Sequence, residues 1–301
     1  MPLHRLRKIF VLLSLSLVFS TSSGLMADSN NAELSLGFAD IAPYSFRDKD
    51  GRAKGINIDL IRAAYAAMGV KIKVTFLPYG RVLQFIRNGT VDGGLTAYDL
   101  IEDPELKKGL YAPVYFSKYY SCLIYMKERF PDGLGIKSVG DLKKAKGLSV
   151  DVKRATPEAK LLRDAGLSVY EQEDSLGMIK RFIVGRTDLA YGTPVLAVHM
   201  LREVNFPPGK VGFDIYRSGP MYLTMSKAKK SYQDNFFIFA EGLLGIIKDG
   251  TYLKIAEQYH GKGSRYAAMH PAADKVLDFL NSARKKQKDQ STGPIRDSRK
   301  Q

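Results

Sequence analysis

A single cysteine, Cys122, in 301 residues excludes an internal disulfide. It lies in the apolar run Cys122-Leu123-Ile124-Tyr125, where it reads as a buried small hydrophobe. Histidine is scarce too: His4, His199, His260 and His270 are the whole set. With so few imidazoles and one thiol, no metal-ligand spacing occurs, and no Gly-x-Ser-x-Gly nucleophile elbow is present. No metal, cofactor or catalytic group is therefore expected. Scattered carboxylates such as Glu171 and Glu173 form no pair that stands out as an acid and base. Beyond residue 27, no apolar run approaches the roughly 20 residues that a membrane-spanning helix needs.

What is present begins with a distinct leader. Arg5, Arg7 and Lys8 precede an apolar stretch over residues 9–19, and small polar residues fill 20–24. That layout predicts a secretory signal peptide over residues 1–27, cleaved after Gly24 or Ala27. No cysteine stands where a lipoprotein signal would need one. The mature chain is expected to be soluble and periplasmic. The formal charge is +15, or +12 with Arg5, Arg7 and Lys8 set aside. Much of the excess clusters late, in residues 284–288 and 296–300, as a solvated tail with loose affinity for anionic surfaces would. Nucleic acid is not an expected partner, because an exported protein rarely meets it.

Residues 33–59 organise the rest. The short apolar segment Leu34-Ser35-Leu36-Gly37-Phe38 predicts a buried strand. It leads into the aromatic turn Pro43-Tyr44-Ser45-Phe46 and the tight turn Asp48-Lys49-Asp50-Gly51. The chain returns through Gly55-Ile56-Asn57-Ile58 and enters a helix over 59–68. An alternating strand at 71–76, a helix at 80–87, a strand at 91–95 and a strand at 121–127 come next. After the turn-rich residues 131–135, strand and helix alternate again: strands at 148–152 and 168–170, helices at 157–165 and 175–184. Two strands, 211–217 and 221–225, flank Ser218-Gly219-Pro220, and a long helix covers 235–248. The pattern predicts parallel sheets covered by helices. Residues 272–283 predict an extra amphipathic helix, and 285–301 a disordered tail.

The opening segment, the paired Gly-x-x-Asp themes around Asp92 and Asp188, and the late Asp249-Gly250-Thr251-Tyr252 resemble the family 3 periplasmic solute-binding proteins of the amino-acid-binding type. The resemblance covers residues 33–263. It implies an α/β fold of two αβ lobes joined by a double-crossing hinge. Lobe 1 would comprise 28–127 and 222–263 and lobe 2 128–221, leaving 264–301 as extra helix and tail. The crossings are expected near 126–131 and 218–223. The resemblance further implies a monomer that closes on a small-molecule solute and hands it to a membrane permease of the ABC type.

Candidate ligand-binding residues come from matched positions. Tyr44 and Phe46 stand where the family supplies an aromatic wall. Arg81 opens a helix and suits an anionic ligand. Arg154 and Thr156 precede a helix start whose amides suit a carboxylate, although Arg154 replaces the family's Gly. For Asp92 and Asp188 a turn or capping role is the simpler reading. Two departures weaken an amino-acid assignment. The run holding Thr96 and Tyr98 has no Arg where the family clamps the α-carboxylate, and Thr193 stands where an Asp would hold the α-ammonium. The resemblance leaves two other readings: a ligand-sensing or accessory module for a membrane signalling partner, and a dehydratase-like enzyme on the same scaffold.

Overall fold

The structure, a computed structural model, describes residues 33–154, 157–264, 266–268 and 270–291. The expected leader and Thr156 lie outside the described residues. Strand β1 (Leu34–Phe38) is almost wholly buried. The loop after it turns into a small hairpin of β2 (Phe46–Arg47) and β3 (Ala53–Lys54), in which the Asp48 carboxylate accepts from the amides of Asp50 and Arg52 at 3.0 and 2.9 Å. Helix α1 (Ile56–Ala67) starts three residues before its apolar spacing predicts. Gly55 takes φ 127°, and a Cβ there would lie 2.4 Å from the Tyr44 carbonyl oxygen. That close approach lets the loop itself cap the helix: Ile56 N donates to Pro43 O and Asn57 N to Tyr44 O, both at 3.0 Å. The first turn of α1 thereby holds Tyr44 in place.

The chain continues through β4 (Ile72–Phe76), α2 (Val82–Arg87), β5 (Gly93–Thr96), α3 (Pro104–Lys108), β6 (Leu110–Tyr111) and the long β7 (Tyr115–Met126). The second lobe holds β8 (Ser149–Lys153), α4 (Pro157–Asp164), β9 (Ser168–Gln172), α5 (Ser175–Ile183), β10 (Leu189–Gly192) and α6 (Pro194–Glu203). Strand β11 (Val211–Ser226) returns the chain to the first lobe, which ends in α7 (Tyr232–Lys248), α8 (Thr251–His260) and α9 (Ala273–Ser291). The strand order is β4-β1-β5-β11-β7-β10-β8-β9, with β6 also on β11.

Two αβ lobes are thus joined by an antiparallel pair, β7 and β11, that runs through both. Tyr222 to Met225 of β11 pair with β5 of the first lobe, whereas Cys122 to Tyr125 of β7 pair with β10 of the second. The first crossing therefore falls near residues 117–121, before the 126–131 predicted from sequence, because Cys122, Leu123 and Ile124 already pack in second-lobe cores. The two strands predicted around Ser218-Gly219-Pro220 are one strand with register shifts at Ile215/Arg217 and Met221/Tyr222. Gly219 permits this continuity, since a Cβ there would meet the Tyr119 ring at 2.6 Å.

The first lobe is built around Leu36, Phe38, Ile58, Ile61, Phe236 and Phe239. Helices α1 and α7 cross at Gly242, where a Cβ would lie 1.9 Å from the Ala64 carbonyl oxygen. The second lobe has two smaller cores on the faces of its sheet, one around Leu142, Val150 and Leu162, the other around Ile179, Phe182 and Leu201. The related Asp92 and Asp188 do equivalent structural jobs. Asp92 accepts from Ser35 N at 2.9 Å, tying β5's entrance to β1, and Asp188 accepts from Ser149 N at 2.6 Å, tying β10's entrance to β8. Helix α9 corrects one expectation: it runs to Ser291, past the predicted start of a disordered tail at 285. Val276 and Leu280 dock it on α7 within the first-lobe core, and the Lys, Arg and Gln residues after them favour helix once that core starts it. Residues 292–301 lie outside the described residues.

Candidate functional site

A cavity of about 420 Å3 lies beyond the carboxyl ends of β1 and β5, against the two crossing strands. Loops at strand ends are where open α/β sheets place ligands, and this volume is within the usual range for small-molecule sites. Its wall is mainly apolar. Ile41, Val82, Leu83, Leu95, Ile101 and Met221 all face it. The polar side chains on it are Tyr44, Ser45, Asn57, Thr96, Lys118 and Thr193, with Tyr119 adding a ring and a hydroxyl.

Tyr44 and Thr193 span the lobes. The Tyr44 hydroxyl donates to Thr193 Oγ1, which also accepts from Leu196 N at 3.2 Å as the N-cap of α6. Burial pushes the Tyr44 phenol well above its ordinary value, against the lowering effect of the Thr193 bond, so the phenol keeps its proton and acts as donor. Further along the same seam, the Phe46 ring lies 6.1 Å from the His199 ring, and Arg202 Nη1 donates to Gln258 O at 3.5 Å. Desolvation lowers the His199 pKa against the opposing charge of Glu203, which favours the neutral imidazole at this contact.

Of the residues predicted from sequence, Tyr44, Thr96 and Thr193 face the cavity. Thr96 is buried and shares a 2.6 Å hydrogen bond with Thr224 of β11. Arg81 is exposed at the rim, between the lining residues Gly80 and Val82. Phe46 belongs to the seam rather than the wall. Tyr98 packs edge-on against Tyr222 at 5.8 Å and lies under Lys107. Arg154 is exposed, ion-paired with Glu173 and not among the residues lining the cavity.

Sequence reasoning missed Lys118, Asn57, Tyr119 and the apolar wall. Lys118 carried a signal, as the one charged residue between Tyr115 and Met126 in a run otherwise aromatic, apolar or small and polar. Asn57 carried none; its 3% exposure results from the early start of α1. Among the described residues there is no cluster of metal-binding side chains, and no helix is long and apolar enough to cross a membrane.

The fold is similar to that of an ancestral cationic amino acid solute binding protein, at 21% identity and a TM-score of 0.60, over 76% of this chain and 95% of that one. It is also similar to a polar amino acid ABC uptake transporter substrate binding protein from Streptococcus thermophilus, at 18% identity and a TM-score of 0.60, over 82% and 90% of the two chains. A histidine kinase sensor domain with similarity to periplasmic binding proteins shares 17% identity at a TM-score of 0.53, over 76% and 96%. Identities this low speak for the fold alone. No curated protein sequence matches the chain. The family profile of the bacterial extracellular solute-binding proteins, family 3, matches residues 34–262, from β1 through α8. On that match, over a fold of two lobes with a cavity between them, the chain belongs to the bacterial extracellular solute-binding proteins, family 3.

Proposed function

We propose that this chain is an exported, periplasmic solute-binding protein that captures a small polar or anionic solute between its lobes and delivers it to an ABC-type permease. An amino acid or a derivative is within the class. It acts as a monomer and performs no chemistry on the solute. One observation carries this reading: the cavity has walls from the first lobe, from both crossing strands and from Thr193 of the second lobe, with the Tyr44–Thr193 bond across it. A solute there touches everything that must move when the lobes close. The uptake-transporter protein among the similar structures favours a permease as partner.

The test is a thermal-shift screen against amino acids, small carboxylates, polyamines, sugars and aromatic acids, then uptake of any hit by cells with and without the protein. A solute that binds only the folded state stabilises it by about 2.7 kcal/mol at a hundredfold excess over Kd. A binder whose uptake depends on the protein supports the reading. Binding without any uptake phenotype favours the second reading, a sensing module for a membrane signalling partner, which the likeness to a kinase sensor domain suggests. Turnover of the bound solute would instead revive an enzyme.

A further inference from the structure

The charge pattern of the cavity narrows the solute further, on the reading that this cavity is the solute site. Lys118 is the single charged side chain on its wall among the described residues, and no carboxylate lines it. The Lys118 ammonium lies 5.9 Å from the Tyr115 ring centroid. Among the described residues it has no carboxylate at ion-pairing distance. Two carboxylates act on the neighbouring Tyr119 from off the wall, and each faces a tyrosine hydroxyl. Asp99 accepts from the Tyr222 hydroxyl at 3.2 and 3.4 Å, and Glu158 faces the Tyr191 hydroxyl. A half-buried cation without a counter-ion at ion-pairing distance, on a wall whose other polar groups are all neutral, favours an anionic partner.

Two neutral groups on the same wall share the bias toward an acceptor. Thr193 Oγ1 already accepts from Tyr44 and from Leu196 N, so what it has left is its own proton to donate. Asn57, 3% exposed, has its side-chain oxygen accepting from Ser117 Oγ at 3.3 Å, so the amide N–H groups remain. Ser45 spends its proton on Ala39 O at 2.7 Å, and Thr96 is occupied by Thr224. A ligand ammonium would meet Lys118 and find no carboxylate on the wall. A ligand carboxylate would find a cation and two free donors, and its carbon skeleton would find Ile41, Val82, Leu83, Leu95, Ile101 and Met221.

We propose that the solute is a small, largely apolar organic carboxylate without an ammonium group, held through Lys118. The ion pair in a partly desolvated cavity supplies the selectivity, and the apolar wall supplies most of the contact area.

The experiment is calorimetric titration of the protein with four probes of one skeleton: 3-phenylpropanoate, phenylalanine, 3-phenylpropanamide and 2-phenylethylammonium. The carboxylate is expected to bind at least about tenfold tighter than each of the others. Lys118→Met is expected to weaken the carboxylate roughly 30-fold or more, as loss of one partner of a buried charge pair does. The same variant should leave the amide within about twofold, which also shows that the cavity is intact. Lys118→Arg should retain the carboxylate preference. Phenylalanine or the ammonium binding tighter than the carboxylate overturns the inference while leaving solute capture standing. Equal loss of all probes in Lys118→Met, or no binding of the carboxylate, overturns it as well. Solute capture itself fails only if the wider panel yields no binder.

Discussion

The two lobes are built on the same strand-helix alternation, yet they treat the cavity differently. The first lobe has a large core in which β1, α1, α7, α8 and α9 pack together, and it supplies most of the cavity wall. The second lobe divides its apolar residues between two smaller cores on either face of its sheet. Among the described residues its own elements give the wall only Thr193. The equivalent aspartates Asp92 and Asp188 show that the local architecture is the same in both. The difference lies in the connections that leave each sheet: in the first lobe the loops after β1 and β5 fold over the site, whereas in the second the chain passes from β10 directly into α6. The first lobe therefore builds most of the cavity, and the second closes one edge of it at Thr193.

Replacement in the two cores should separate these roles most sharply. Phe239→Ala removes a ring that packs on Tyr65, Phe116 and Phe236 at 5.6–5.9 Å, and it should cost about 3–5 kcal/mol in urea unfolding. Leu162→Ala in the second lobe should cost about 2–5 kcal/mol but leave solute affinity nearly unchanged by calorimetry. A large loss of affinity in Leu162→Ala would break the comparison.

Acid should act next, and through the first lobe. His260 at the end of α8 is buried beside Tyr266, its Nε2 has no hydrogen-bond partner among the described residues, and burial lowers its pKa to about 4. Because the folded value lies below the ordinary 6.5, the unfolded chain takes up a proton over this interval that the folded chain refuses. Stability is kept above pH 6.5 and falls as the pH drops toward 4, by about 3 kcal/mol in all. Unfolding measured at several pH values should show a shallower acid slope in His260→Gln than in the native chain.

The seam gives a smaller effect. Tyr44→Phe removes one neutral hydrogen bond while Thr193 still caps α6. Solute binding should weaken about 2- to 10-fold by titration, the weight of one such bond, with little change in melting temperature. A loss confined to stability would mean that the Tyr44–Thr193 bond does not report closure. Arg154→Ala should do least. Its exposed pair with Glu173 is worth under about 1 kcal/mol, and affinity should stay within twofold. A larger drop in affinity would bring the second lobe's helix start into the site.

Much of the fold is legible in the sequence, because strand and helix periodicities report which face of each element is buried. The leucines, isoleucines and phenylalanines of β1, α1 and α7 fall in the core that their spacing implied. Asp92 and Asp188, expected in a turn or capping role, instead tie neighbouring strands together, and of the residues named for the site Tyr44, Thr96 and Thr193 line the cavity. Three points escaped. The start of α1 depends on a loop carbonyl approaching Gly55. The first crossing depends on which strand β7 pairs with at each end. The extent of α9 depends on α7 offering it a core. Each is a contact between distant segments, which local pattern does not encode.

Local residue pattern was enough to show the family and the αβ alternation in both lobes. Where the lobes divide, that Arg154 pairs with Glu173 and is not on the cavity wall, and that Lys118 and Asn57 are, emerge from the folded chain alone. The physical reason is separation along the chain. A cavity wall is assembled from residues 39 to 221 by strand pairing and helix packing, so a side chain's role depends on what the fold places opposite it.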